Sequence, residues 1–152
     1  MQIIKDKQMT IQEAMAKASQ LLESGDLPKA ETIYKQIINS NPNFDPAFFQ
    51  LGIIASKVGK LPLAANLIAK AIEIDSSKPD YHRAVGEIYR RLGRHKEAVA
   101  HGWQAKYLAP KDPQTNSNLA LALADKGDLD EAINIYREVL KLKPDHAFAA
   151  NN

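Results

Sequence analysis

"GDLPKA" at residues 25–30 has three relatives in the same chain: "GKLPLA" at 59–64, "GRHKEA" at 93–98 and "GDLDEA" at 127–132. Successive copies are always 34 residues apart, so the hexapeptide is either a reactive site or a structural joint, written four times. With the first repeat taken as 11–44, the others fall at 45–78, 79–112 and 113–146, without insertion or deletion. So strict a period points to stacked units, because one globular core has no reason to keep register.

Within each repeat the residues recur by size and polarity. Position 8 is always small (Ala18, Gly52, Gly86, Ala120), and position 20 is always alanine (Ala30, Ala64, Ala98, Ala132). Position 11 holds Leu21, Ala55, Tyr89 and Leu123, and position 27 holds Ile37, Ala71, Ala105 and Val139. Position 7 is Leu51, Val85 and Leu119 in the later repeats but Lys17 in the first. The apolar or small set is thus 7, 8 and 11 in one half of the repeat and 20, 24 and 27 in the other, each spaced as one helix face. The hexapeptide lies between the halves. Its glycine falls where a left-handed backbone ends a helix. The residues after it start the next helix, with Asp26 and Asp128 as caps and Pro28 and Pro62 in the first turn. Thr10 and Glu13 have capping-box spacing, and Asp45-Pro46 and Asp112-Pro113 are expected to open two further helices with aspartate as cap. The second helices stop near Pro42, Pro110 and Pro144, while the second repeat has Ser76 there and delays its proline to Pro79. Eight helices of roughly 12 to 14 residues follow.

The order of small, large apolar, glycine, alanine, aromatic and proline residues at this period resembles the tetratricopeptide repeat over residues 11–146. The resemblance implies an all-α, right-handed superhelical solenoid of antiparallel helix pairs, with the first helices lining a concave groove. One repeat domain is expected: a leader or helix extension at 1–10 with Met9 as an alternative start, four repeats, and the truncated start of a fifth at 147–152. The helix start at Asp145 and the short remainder point to a piece of a longer polypeptide.

Departures from the family pattern are informative. Lys17 is polar where the family has a large apolar residue, which fits an end cap, and Glu13 lies four residues earlier where it can pair with it. Position 4 is Ala14, Phe48, His82 and Asn116, and position 24 is Tyr34, Ile68, Gly102 and Tyr136. Gly102 costs about 1 kcal/mol in helix propensity. Two readings of it are open. Either Trp103 or a neighbouring chain fills the space, in which case Gly102→Ala melts higher, or the gap accepts a ligand side chain.

Composition excludes several classes of function. There is no cysteine, hence no disulfide, thiolate site or cysteine nucleophile. A net charge of +2 is too small to argue for nucleic acid, and no run approaches the roughly 18 apolar residues of a membrane span. A cytoplasmic, non-enzymatic protein without cofactor, nucleic acid or membrane insertion is expected. His82, His95, His101 and His146 read as scattered surface residues, since no pair has the i, i+4 spacing of a metal site. The glycines belong mostly to hinges or to position 8, so no phosphate loop is present.

Carrying the family register over, the groove is expected to present Gln12, Met15, Ser19 and Glu23 from the first repeat, and Phe49, Gln50, Ile53 and Lys57 from the second. The third offers Asp80, Arg83, Glu87, Arg90 and Arg91, and the fourth Gln114, Ser117, Asn118, Leu121 and Asp125. Phe49 and Ile53 either form an apolar patch or pack on the next repeat. The third repeat has seven basic and four acidic residues, net +3, and the fourth has four and six, net −2. Pairing of Glu87 with Arg83 and Arg91 at i, i+4 would neutralise part of this; otherwise the arginines favour an acidic peptide. The carboxylate clamp of chaperone-binding relatives does not carry over, since Ser19, Gln50 and Ala84 stand near its places, and the asparagine ladder of sugar-transferase arrays is partial, at Asn118 and Asn152. The leading expectation is a protein-interaction scaffold for an extended peptide or partner helix. The rivals are a recognition arm of a larger enzyme such as a protein O-glycosyltransferase, and an array that self-associates through its exposed terminal repeat.

Overall fold

The computed structural model describes residues 3–4 and 9–142. The expected fifth-repeat start at 147–152, Pro144, Asp145 and His146 lie outside them. A short antiparallel ladder, β1 (Ile3–Ile4) with β2 (Met9–Thr10), precedes eight helices. These are α1 (Ile11–Glu23), α2 (Leu27–Ser40), α3 (Asp45–Lys57), α4 (Leu61–Ile74), α5 (Pro79–Arg91), α6 (His95–Leu108), α7 (Pro113–Lys126) and α8 (Leu129–Leu142). The chain forms an all-α array of antiparallel helix pairs in two compact halves, Met1–Asp75 and Ser76–Asn152. In the first half α1 packs on α2, α3 on α4 and α2 on α3; in the second α5 packs on α6, α7 on α8, and α6 and α5 on α7.

The repeated hexapeptide is the hinge of each pair. Gly25, Gly59, Gly93 and Gly127 have φ of 86°, 83°, 76° and 100°, left-handed conformations in which a side chain is strained. In each hinge the residue after the glycine donates its N–H to the carbonyl at position 11 at 2.8–2.9 Å, on Leu21, Ala55, Tyr89 and Leu123. The glycine N–H meets the next carbonyl on, as in a Schellman end.

Starts are more varied. Thr10 and Glu13 form the full capping box, and Asp26 and Asp112 accept from Lys29 N and Thr115 N. Two expectations need correction. Asp45 is the first residue of α3, and Phe44 is its N-cap; the carboxylate there still favours the positive helix end. Glu13 closes the capping box instead of pairing with Lys17, which is exposed.

The core follows the repeat positions. Ala18, Ala30, Tyr34 and Ile37 in the first half, and Leu119, Ala120, Leu123 and Val139 in the second, are essentially inaccessible. In the second and third repeats position 8 faces position 24 of its own pair. A Cβ added at Gly52 would lie 2.5 Å from Ile68 Cγ1, whereas one at Gly86 would meet nothing closer than the Ala98 carbonyl at 3.4 Å.

The open question about Gly102 closes on a third residue. Trp103 is 39% exposed and does not fill the gap. A Cβ on Gly102 would lie 2.9 Å from Leu119 Cδ1 and 3.4 Å from Leu119 Cα, so α7 already occupies the space. Leu119 is fully buried, and its Cα and Cβ border the space as closely as 3.4 Å, so the side chain has little room to retreat. Gly102→Ala is therefore expected to lower the melting stability, by about 1 kcal/mol after its gain in helix propensity. Thermal unfolding above the wild-type temperature would contradict this packing.

Candidate protein-interaction site

Two surfaces come into question: the side of the first helices that the repeat register marks, and the solvent-facing residues of the second helices. On α3, Phe49, Gln50 and Ile53 are half-buried and lie within one helical turn. On α5 and α7, Arg83, Glu87, Arg90, Asn118 and Leu121 are also half-buried. The structure thus gives each of these residues partial exposure.

Their electrostatics differ from expectation. Arg83 donates to Asp80 Oδ1 at 2.8 Å and to Asp112 Oδ2 at 2.9 Å, not to Glu87. Arg90 makes two bonds to Glu87, at 2.7 and 3.0 Å, and one to Asp125 Oδ2 at 2.9 Å. Each guanidinium therefore already holds two carboxylates. The Arg90 guanidinium has its proton affinity raised by the bonds to Glu87 and then to Asp125. At Asp112 burial pushes the carboxyl up, but the Thr115 hydroxyl and amide outweigh it with help from Arg83, and hold it below the usual range. Of the two alternatives the sequence leaves open, internal pairing is what the structure contains: the arginine charge is engaged by Asp80 and Glu87 on α5 and by Asp112 and Asp125 at the two ends of α7. Reversing Arg83 and Arg90 to glutamate would set like charges together, so such a variant could not separate binding from folding.

The same contacts explain the charge imbalance between the third and fourth repeats. Arg90 to Asp125 and Lys106 to Glu138 both run from the basic repeat to the acidic one. The imbalance is a seam between neighbours. The hollow lined by Arg83, Gly86, Glu87, Arg90, Gly102 and Asn118 measures about 10 Å³, room for one water at most. No ligand side chain fits there.

The scattered-histidine expectation needs correction for two of the four, His82 and His101. His82 is 4% exposed, and its Nδ1 lies 3.2 Å from Nδ1 of His101. A separation of 19 residues has no helical periodicity, so no local rule brings these two together. Among the described residues no group of three or more His, Cys, Asp or Glu is placed to hold a metal ion.

A larger opening lies in the first half, on a face that the repeat register did not single out. It measures about 580 Å³ and runs between α2 and α4 over the C-terminal part of α3. Leu51, Ile54 and Ala55 form its floor, and Leu27, Pro28, Leu63 and Leu67 its walls. Val58 at 52% and Leu63 at 47% exposure stand at its edge. The signal in α4, "LPLAANLIAKAIEI", is that its polar residues are confined to the narrow stripe Asn66, Lys70 and Glu73, which leaves Leu63 exposed beside it and Leu67 half-buried. No helix among the described residues is long and apolar enough to cross a membrane.

Models of the tetratricopeptide repeat match residues 49–114 and 113–146, together more than half of the chain. A TPR repeat-containing protein of Methanocaldococcus jannaschii, MJ1428, is 27% identical over an alignment of 165 residues that covers 80% of this chain. The chain spans only 29% of that relative's length. Among solved structures, YrrB, described as a TPR protein with an unusual peptide-binding site, superposes with a TM-score of 0.84 at 22% identity, over 95% of this chain and 74% of that one. MamA of Desulfovibrio magneticus RS-1 superposes with a TM-score of 0.84 at 17% identity, over 91% of this chain and 78% of its own. These two likenesses concern the fold. Both matching models, the 34-residue register, the four glycine hinges and the helix pairs agree, and the chain belongs to the tetratricopeptide-repeat family.

Proposed function

We propose that the chain is a non-enzymatic protein-interaction scaffold that seats an extended peptide or a partner's helix on its first half. The observation that carries this reading is the apolar groove of about 580 Å³ between α2 and α4, within the usual 300–1,000 Å³ range of binding clefts. An apolar hollow with Val58 and Leu63 at its edge gives up water favourably to an apolar side chain. Arg83 and Arg90 of α5, by contrast, are already engaged by Asp80, Glu87, Asp112 and Asp125. The peptide site for which YrrB is described lends support to a peptide ligand. A second seat, on the α3 side bearing Phe49, Gln50 and Ile53, is favoured by the partial exposure of two large apolar residues four apart.

The test is selection of binders from a displayed random peptide library, followed by titration of the winning peptide into isotope-labelled protein. Amide shifts are expected to cluster at Val58, Leu63 and Leu67. Leu63→Ser is expected to weaken binding about tenfold, with Ile53→Ser near wild type. Shifts centred on Phe49 and Ile53 would move the seat to the second surface. Failure of the library to yield any saturable binder would count against the scaffold itself.

A further inference from the structure

The third repeat closes with a contact between two imidazoles. Gly86 and Gly102, at the paired positions 8 and 24, leave α5 and α6 without a side chain between them, and His82 and His101 come together beside this approach. Their Nδ1 atoms are 3.2 Å apart, the ring centroids 5.4 Å apart and the planes inclined by 26°. The centroid distance exceeds the nitrogen distance by close to the full reach of both rings. The two nitrogens therefore point at each other edge to edge, with one hydrogen between them.

The proton inventory follows from the other ring nitrogen of His82, which lies 2.9 Å from the Ser76 carbonyl. A carbonyl only accepts, so His82 Nε2 carries a hydrogen, and in the neutral ring its Nδ1 is then an acceptor. His101 Nδ1 must donate. The nitrogen left to take an added proton is His101 Nε2, and one proton there keeps both hydrogen bonds. A second proton has only His82 Nδ1 to bind. It would set two N–H groups head to head and two like charges in hydrogen-bond contact.

We propose that the His82–His101 contact is a pH-gated joint between the two helices of the third repeat, which tolerates one added proton and is broken by two. The surrounding charges do not relieve the second proton. On α5, Tyr89 stacks on His101 at 5.6 Å and Arg94 covers Tyr89 at 4.8 Å. On α6, Glu97 favours the charged form of His101, but burial, with a lesser contribution from His82, lowers its proton affinity overall. The Asp112 and Asp125 carboxylates at the two ends of α7 are held by Arg83 and Arg90, and Glu138 of α8 by Lys106. Ahead of α5, Lys78 lies over the Tyr81 ring. Opening the joint would loosen α5, whose arginines tie it to α7.

The sign of the effect is fixed by linkage. In the unfolded chain both imidazoles take protons near pH 6.5 or so, while the folded pair holds at most one. Stability is therefore complete above that pH and falls as the pH drops through and below it. A deficit of one proton lowers the folding constant about tenfold per pH unit.

The experiment uses the whole chain: imidazole ¹⁵N shifts together with denaturant unfolding between about pH 7.5 and 5, above the range of ordinary carboxylates. The expected result is an Nε2–H tautomer at His82, an Nδ1–H tautomer at His101, and the tenfold slope, which His101→Gln reduces by one proton. Imidazolium spectra for both residues with an undisturbed fold at low pH would overturn the proposal, as would an unchanged slope in His101→Gln. If that variant does not fold, the wild-type tautomers and titration decide. Zinc ion added at neutral pH that shifts both Nδ1 resonances would make the pair a metal site and likewise overturn it.

Discussion

Asn116→Ala is expected to lower the unfolding free energy by about 3 kcal/mol, seen as an earlier denaturant midpoint with an unchanged slope. Asn116 is inaccessible to solvent and joins four segments. Its amide donates to the Pro110 and Asp112 carbonyls, each at 3.0 Å. Its Oδ1 accepts from Lys106 Nζ at 2.9 Å, and Lys106 in turn reaches Glu138 at 2.7 Å. One side chain thus ties the loop before α7, α6 and, through lysine, α8. Alanine removes the partner of the Pro110 carbonyl, leaves the ammonium with one carboxylate, and opens a cavity; an unmet buried polar group alone costs about 1–3 kcal/mol. Lys106→Met should cost less, because Glu138 retains water at 47% side-chain exposure. A loss below about 1 kcal/mol for Asn116→Ala would mean that water replaces the amide without penalty.

Gly52→Ala is expected to destabilise the chain by about 2 kcal/mol, while Gly86→Ala, at the same repeat position, should be neutral or slightly stabilising. Alanine is the better helix former by about 1 kcal/mol, so both substitutions start with that gain. They part over the opposing residue. A Cβ at Gly52 would stand 2.5 Å from Ile68 Cγ1 and 3.2 Å from the Ala64 carbonyl. Ile68 is fully buried and, being β-branched, has few rotamers into which to retreat, so α3 and α4 must separate. Opposite Gly86 stands Gly102, and the added methyl meets only ordinary contacts. Parallel thermal melts of the two variants read the difference directly. Equal melting temperatures would show that the α3–α4 approach relaxes at little cost.

The two glycines show where sequence reading succeeds and where it stops. Glycine or alanine at position 8 announces close helix approach, and the hinge glycines announce left-handed turns, because both requirements are local to the backbone. Which of the small residues is obligatory depends on position 24, sixteen residues away, where Ile68 and Gly102 differ by a whole side chain. Charge pairing is hidden from the sequence for a related reason. The i, i+4 rule offered Glu87 to Arg83, while the structure gives Arg83 the cap residue 29 positions on and Arg90 a partner 35 positions on. Separations near one repeat length are contacts between neighbours, and helix periodicity is blind to them. The α2–α4 groove lies outside the family register, which marks the first helices, and its sequence trace is only the apolar pair Leu63 and Leu67 beside the polar stripe of α4.

The seam between the third and fourth repeats bears on how such an array can be rearranged. Asp125 stands at position 13 of the fourth repeat, where the third has Arg91, and Glu138 at position 26, where the third has Gln104. A tandem copy of the third repeat would thus set Arg91 in the place of the carboxylate that Arg90 holds, and an amide in place of the one that Lys106 holds. Although the backbones are built to one plan, these two modules have a fixed order. Duplication or shuffling across this boundary would have to change side chains as well as copy number.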